Sequence, residues 1–393
     1  MTFEQARACV IEKVASLRAE PAGEDVALDE AAGRVCAEAI AADRDYPATA
    51  RSIRDGFAVR AADTPGRLRV AGEARAGAPP PQGVARGEAV EIMTGAPVPA
   101  GADAVVMVEY ARREGDFVVA PAAEPGQFVN PQASEARVGE VLVPRGRRLG
   151  SAEIAALASV GRTTVRVFHK PRVAILSTGD EILDIAATPQ PYQVRNSNAQ
   201  SLAAQVRRAG GIPEVLPTAP DERTPTQALI ERGLGSDLLL LSGGVSAGRY
   251  DVVEDVLTAL DAEFYFDRVL IQPGQPLVFG RVRDRFFFGL PGNPASTLVT
   301  FEIFARAALE LLAGQAGTAL PLPLARMAVG FRHKTGLTRF LPARLSADGA
   351  EVTPVPWRGS SDIPALARAN AFLVADAARE SWRAGDLIRV LLR

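Results

Sequence analysis

Apolar positions in the central third of the chain fall into unbroken blocks. Val173-Ala174-Ile175-Leu176, Leu238-Leu239-Leu240-Leu241 and Phe286-Phe287-Phe288 contain no polar residue, which predicts strands covered on both faces, since a half-buried strand would alternate. Each block runs into a polar, glycine-bearing loop: Ser177-Thr178-Gly179-Asp180-Glu181, Ser242-Gly243-Gly244-Val245-Ser246-Ala247-Gly248, and Gly289-Leu290-Pro291-Gly292-Asn293-Pro294. Between them the spacing turns helical. One helix opens at Asn196 or Ser197 and stops at Gly210-Gly211, with a short strand over 212–216. A second follows the central loop from about Asp251 through Leu260. A third takes Asn293 as N-cap and Pro294 as its first residue and continues to about Leu312. Strands alternating with helices predict a doubly wound parallel sheet over 171–315, whose ligands sit beyond the carboxyl ends of the strands. All three polar loops fall at that edge.

The flanking regions read differently. Thr2 and Gln5 form a capping box ahead of Phe3, Ala6, Val10, Val14 and Leu17, an amphipathic packing helix. A second helical stretch is expected from Asp29-Glu30-Ala31-Ala32 through Val35 and Ile40, and a third over 151–160 with Ser151 as N-cap and Gly161 as stop. Between these, short valine runs such as Val105-Val106-Met107-Val108 among many Gly and Pro residues predict an inserted β domain over 44–136. Residues 1–43 and 137–170 then make one discontinuous, elongated, helical N-terminal domain. Short strands at 325–329, 372–374 and 387–392 predict a small β barrel over 316–393. The expected fold class is α/β multidomain, with the doubly wound sheet at its centre.

Composition narrows the chemistry. With 44 Lys+Arg against 46 Asp+Glu in 393 residues, no general attraction to nucleic acid or an anionic membrane is expected, so an anion site must be local. Two cysteines, Cys9 and Cys36, and two histidines, His169 and His333, give neither a zinc spacing nor a disulfide framework. Charged residues interrupt the N-terminal helix and no run of eighteen apolar residues occurs, which predicts neither signal peptide nor membrane span and places the protein in the cytoplasm.

The loop at Gly243-Gly244 carries the strongest signal. Gly243, Gly244 and Gly248 let peptide N–H groups approach a ligand, and a helix behind them adds a positive N-terminal end, which together suit phosphate. Arg249-Tyr250 stands where a P-loop needs Lys-Ser/Thr, so an ordinary P-loop NTPase is excluded. Gly244-Val245-Ser246-Ala247-Gly248 also fits the G-x-S-x-G nucleophile elbow, with Ser246 as nucleophile and His333 downstream. Against a serine hydrolase stand His333's place in another domain and the absence of an oxyanion loop before the serine. Carboxylates gather at the same edge: Asp180, Glu181, Asp221 and Asp251. Singly, each reads as a cap or a solvated loop charge; together, beside phosphate, they call for a divalent cation, most simply Mg²⁺.

On these motifs, with Arg54-Asp55-Gly56-Phe57-Ala58 and Thr94-Gly95-Ala96-Pro97 from the inserted domain, the sequence resembles the molybdopterin molybdotransferases, the MoeA family that includes the gephyrin E domain. The resemblance covers the whole chain. It implies an elongated homodimer of four-domain subunits, acting with other cofactor-biosynthesis proteins, that converts adenylylated molybdopterin and molybdate to molybdenum cofactor and AMP with Mg²⁺. Carried onto this sequence, it implies catalytic roles for Asp55, Thr94, Glu181, Asp221 and Asp251, with Asp55 and Thr94 supplied by the same or the partner subunit. Asp221 and Asp251 would hold Mg²⁺. Ser177, Thr178, Gly179, Asp180, Ser242, Gly243, Gly244, Val245, Ser246, Pro291, Gly292 and Asn293 would surround the pterin and its phosphate. Ser296, Gln272, Gln275, Arg339 and Ser361 would face molybdate.

One departure bears on the activity. Where that family reads Lys-Pro-Gly-Lys-Pro, this chain has Gln272-Pro273-Gly274-Gln275-Pro276, which removes two cations from the expected oxyanion site. Leu337 follows Gly336 where an arginine is expected, with Arg339 as the nearby substitute. The alternatives that follow are a molybdopterin-binding or scaffold protein without turnover, and an enzyme that adenylylates molybdopterin.

Overall fold

The computed structural model describes residues 1–79, 81–244 and 252–393. Val245, Ser246 and Asp251 therefore lie outside the described residues. The chain divides into two compact units: residues 1–37, 146–150 and 164–393, and residues 38–145 with 151–163.

In the first unit, the sheet expected from the apolar blocks is present. Strands Ile212–Val215, Arg172–Ser177, Leu238–Ser242 and Arg285–Leu290 are adjacent in that order and parallel. The unbroken apolar runs have the predicted consequence. Leu238 and Leu240 enter one core with Val173, Ile175, Phe286 and Phe288. Leu239 and Leu241 enter the other with Ala174, Leu176 and Phe287. Helix Ser197–Arg208 is capped by Asn196, whose side chain accepts from the Ala199 N–H at 3.0 Å.

The sheet is not parallel throughout. Val278–Val282 and Glu263–Phe266 extend it antiparallel, because the connection into Arg285–Leu290 is a two-residue turn at Arg283 and Asp284, both with positive φ, too short for a crossover. After Asn293 and Pro294 the helix runs to Leu312 as expected, but through a π-helical turn at Phe301–Ala305. Its buried Glu302 and Glu310 are paired with Arg306 at 3.4 and 2.9 Å.

Helix Phe3–Leu17 carries the predicted capping box and buries Phe3, Ala6, Val10 and Val14. Phe3 meets Phe304 and Phe340 edge-on, with centroids 5.9 and 5.4 Å apart. The second helical stretch predicted over 29–40 is absent. A single 3-10 turn, Leu28–Glu30, stands there, followed by extended chain and strand Ile40–Ala41. Gly33, at φ +79°, stops the helix where the periodicity would have continued it.

The C-terminal strands Thr338–Leu345, Glu351–Pro354, Leu324–Met327, Leu387–Leu392 and Ala371–Ala375 close on themselves as a five-stranded barrel. A short strand, Ile271–Gln272, pairs in parallel with its first strand, so that Gln272 is the register partner of Arg339.

The second unit holds a six-stranded sheet in the order Ala104–Met107, Gly56–Val59, Glu88–Ile92, Gly66–Ala74, Phe117–Ala120, Arg112–Glu114. This is the β domain expected from the short valine runs. Among the described residues, no helix is long and apolar enough to cross a membrane.

The antiparallel edge gives a stability test. A Cβ on Gly280 would lie 2.5 Å from the Glu263 carbonyl oxygen and 2.5 Å from the Phe287 ring. Gly280→Ala is therefore expected to destabilise the first unit by about 1–3 kcal/mol in chemical denaturation. An unchanged midpoint would mean that the edge strand is not packed in this way.

Candidate functional site

Parallel register sets the floor of a cleft. Ser177 pairs with Ser242, and Ser242 with Leu290, so three strands end at one level and their polar loops open on the same side. The cleft there has a volume of about 1000 Å³, and its lining includes Ser177, Thr178, Gly179, Glu181, Asp221, Ser242, Gly243, Gly244, Pro291, Gly292, Asn293 and Ser361.

Hydrogen bonds tie the loops together. The Thr178 N–H donates to the Ser242 carbonyl at 3.1 Å, the Gly179 N–H to the Ala219 carbonyl at 3.1 Å, and the Gly243 N–H to the Leu290 carbonyl at 3.2 Å. Asn198, in the first turn of its helix, donates from Nδ2 to Ser242 Oγ at 2.9 Å and to the Gly292 carbonyl at 2.7 Å. The Ser177 hydroxyl donates to Asn196 Oδ1 at 3.1 Å. Glycine at 243 and 244 is compelled by shape. Both have positive φ, and a Cβ would lie 2.8 Å from the Thr178 carbonyl oxygen at Gly243 and 2.8 Å from Thr178 Oγ1 at Gly244.

Two polar atoms at this floor are buried without a partner among the described residues: Thr178 Oγ1 and Asn198 Oδ1. The Asn198 amide is oriented by the Gly292 carbonyl, which can only accept, and so its oxygen is the atom left over. Unsatisfied buried groups of this kind cost about 1–3 kcal/mol each.

The other expected residues separate into groups. Asp180 does not line the cleft; its Oδ1 accepts from the Asp221 N–H at 3.1 Å and so shapes the rim on which Asp221 stands. Glu181 folds its carboxylate against Gly179, where a Cβ would lie 2.5 Å from Oε2. Ser296 is buried in its helix. Gly274 closes on that helix, with Thr300 Cγ2 2.5 Å from where its Cβ would stand. Gln272 and Gln275 therefore flank a turn packed behind the wall, to which the neighbouring Pro276 contributes a surface. Arg339, the register partner of Gln272, has a buried Nε with no partner among the described residues. His333 stacks on Phe331 and Trp382, with centroids 5.7 and 5.4 Å away and neither ring nitrogen bonded among the described residues. It lines no part of this cleft. An imidazole held that way lacks the orienting partner a hydrolase base needs.

In the second unit, Asp55 and Thr94 stand together. Gly56 and Ile92 are register partners, which brings the residues flanking them side by side. The Thr94 N–H donates to Asp55 Oδ1 at 2.6 Å and its hydroxyl at 2.8 Å. These two bonds hold the Asp55 carboxyl below the usual carboxylate range.

The sequence reading overlooked Arg195 and Asn198 as lining residues and treated Asn196 only as a cap. The signal available was the polar run Arg195-Asn196-Ser197-Asn198, which is longer than a helix cap requires.

Comparison with known proteins now gives the class. Residues 174–311, which carry the cleft's three strand ends, match the model described as a probable molybdopterin binding domain. Residues 1–161 match the MoeA N-terminal region (domain I and II), and residues 324–392 the MoeA C-terminal region (domain IV). A molybdopterin molybdenumtransferase of Bacillus subtilis is 32% identical, with 97% of this chain and 92% of that protein covered. One of Staphylococcus epidermidis is 29% identical, with 97% and 94% covered. A crystal structure of a molybdopterin biosynthesis MoeA protein from Pyrococcus horikoshii superposes over 100% of both chains, with a TM-score of 0.81 and 26% identity.

The chain belongs to the MoeA family. It is accordingly a transferase of molybdenum-cofactor biosynthesis.

The Asp55 pair is open to titration. Replacing Thr94 by Val removes the hydroxyl donor, and the Asp55 titration followed by NMR should move up toward the ordinary value of about 3.9. Because the folded value is depressed, the pair contributes stability above about pH 4 that is lost as pH falls through the folded value. An unmoved titration would show that the hydroxyl plays no part.

Proposed function

We propose that the chain inserts molybdate into adenylylated molybdopterin, releasing AMP and leaving molybdenum cofactor. The observation that carries this reading is the cleft floor. Buried Thr178 Oγ1 and Asn198 Oδ1, both unpartnered among the described residues, lie beside a glycine turn that no side chain can occupy. The space above them is the size of a nucleotide-bearing ligand. Peptide N–H groups of the turn beyond Gly243, whose own N–H is bonded to the Leu290 carbonyl, would hold a phosphate there.

The lining suits a hard divalent cation. Among the described residues it offers carboxylates from Glu181 and Asp221 and neither Cys nor His. Asp221 would hold Mg²⁺, with Asp251, which lies outside the described residues. Bound there, the ion supplies charge neutralisation at the phosphoanhydride. Among the described residues, no three His, Cys, Asp or Glu side chains are grouped to hold a metal alone. An ion there would take its remaining ligands from substrate phosphate and water. Glu181 would position the ligand. With glutamine at 272 and 275, Arg339 would offer molybdate a permanent charge, and Gln272, Gln275, Ser296 and Ser361 would supply neutral hydrogen bonds; of these five, Ser361 is the one on the lining of the cleft described above.

The reading also includes a cytoplasmic homodimer working with other cofactor-biosynthesis proteins, and four domains with the boundaries given under Sequence analysis. Sedimentation equilibrium tests the dimer. The neutral Gln272 and Gln275 favour one second reading, a molybdopterin-binding protein of the same fold without turnover.

Reconstitution of an apo-molybdoenzyme separates the two readings. Active cofactor should form from adenylylated molybdopterin and molybdate with the wild-type chain, and Arg339→Ala should raise the KM for molybdate about ten-fold. Tight pterin binding with no reconstitution would favour the second reading.

A further inference from the structure

Among the described residues that line the cleft, Arg195 is the one with a positive charge, facing a lining that holds the carboxylates of Glu181 and Asp221. We propose that Arg195 receives a tetrahedral oxyanion of the substrates in this cleft, an assignment that rests on the transferase reading above and names a binding residue for it.

Its backbone is held on a strand. Val194–Arg195 pairs in parallel with Ile182–Leu183. The Val194 N–H donates to the Glu181 carbonyl at 2.9 Å and the Asn196 N–H to the Leu183 carbonyl at 2.8 Å. The side chain is held as well. Arg195 Nε donates to the Ala187 carbonyl at 2.8 Å, and Ala187 sits in a turn that Asp184 closes by accepting from the Ala186 N–H at 2.8 Å. Asp184 is thereby engaged with the backbone. Arg195 makes no other hydrogen bond or ion pair among the described residues. Anchored through Nε, the guanidinium keeps its two terminal nitrogens, a fork that matches two oxygens of a tetrahedral oxyanion.

The position is coupled to the cleft floor. The next residue, Asn196, accepts from the Ser177 hydroxyl, and Ser177 is the last residue of its strand, immediately before Thr178. A polyanionic ligand placed beside Glu181 and Asp221 needs positive charge close by. The chain has only three lysines, Lys13, Lys170 and Lys334, and none of them lines the cleft.

Two sources supply such an oxyanion: the phosphoryl groups of the adenylylated pterin, and molybdate. They are told apart by equilibrium binding of adenylylated molybdopterin without molybdate at two ionic strengths, and by the KM for molybdate in the complete reaction. Arg195→Gln should weaken one of these about ten-fold and flatten its salt dependence. Arg195→Lys should retain most of the salt dependence, and both variants should melt as the wild type does. A phosphoryl contact moves the binding constant alone, and a molybdate contact moves the KM alone. If Arg195→Gln changes neither by more than two-fold, the assignment is overturned. Wild-type protein that binds the adenylylated pterin but inserts no molybdate contradicts the transferase reading, while the binding arm still reports on Arg195.

Discussion

The register of three parallel strands is the constraint on which the cleft depends. Ser177, Ser242 and Leu290 stand level because Arg172–Ser177, Leu238–Ser242 and Arg285–Leu290 pair without a slip. That register is enforced from below. Each buried leucine of the central strand contributes about 2 kcal/mol, and alternate residues feed opposite cores. Sliding the central strand by a residue would draw Asp237 into the apolar layer in one direction and Ser242 in the other. The apolar blocks therefore fix the height of the polar loops, and the loops can then hold groups that add nothing to folding.

Those groups include a buried threonine hydroxyl and a buried amide oxygen, neither partnered among the described residues, and two adjacent glycines at positive φ. The two unpartnered atoms cost stability, whereas the glycines take positive φ readily. That cost is small against the burial of the strands beneath, which is why the site can be pre-formed. The same division appears in the second unit, where the pairing of Gly56 with Ile92 places the Thr94 donors on Asp55.

Much of this was legible in the residue order. Runs such as Leu238-Leu239-Leu240-Leu241, short and bounded by polar residues and glycine, read as strands covered on both faces, and Asn196 and Pro294 mark helix starts by local chemistry alone. Features that depend on distant pairing were not legible. The antiparallel edge follows from positive φ at Arg283 and Asp284, residues that carry no glycine signal. The barrel strand Thr338–Leu345 contains Pro342, which reads as a strand breaker until its partners are known. Arg195 and Asn198 were missed as lining residues, because only the fold shows that both line the cleft and that Ser242 and Gly292 lie opposite Asn198. The 29–40 stretch kept helical spacing, but Gly33 ended it after one turn.

On the proposed reading, this cleft does more than hold adenylylated molybdopterin: it couples cleavage of the phosphoanhydride, with release of AMP, to insertion of molybdate. The most direct measurement is AMP release from adenylylated molybdopterin with Mg²⁺, in the presence and absence of molybdate. Release that depends on molybdate, in step with molybdenum cofactor formed, is the predicted result. Release at the same rate without molybdate, or none with it, would contradict the account.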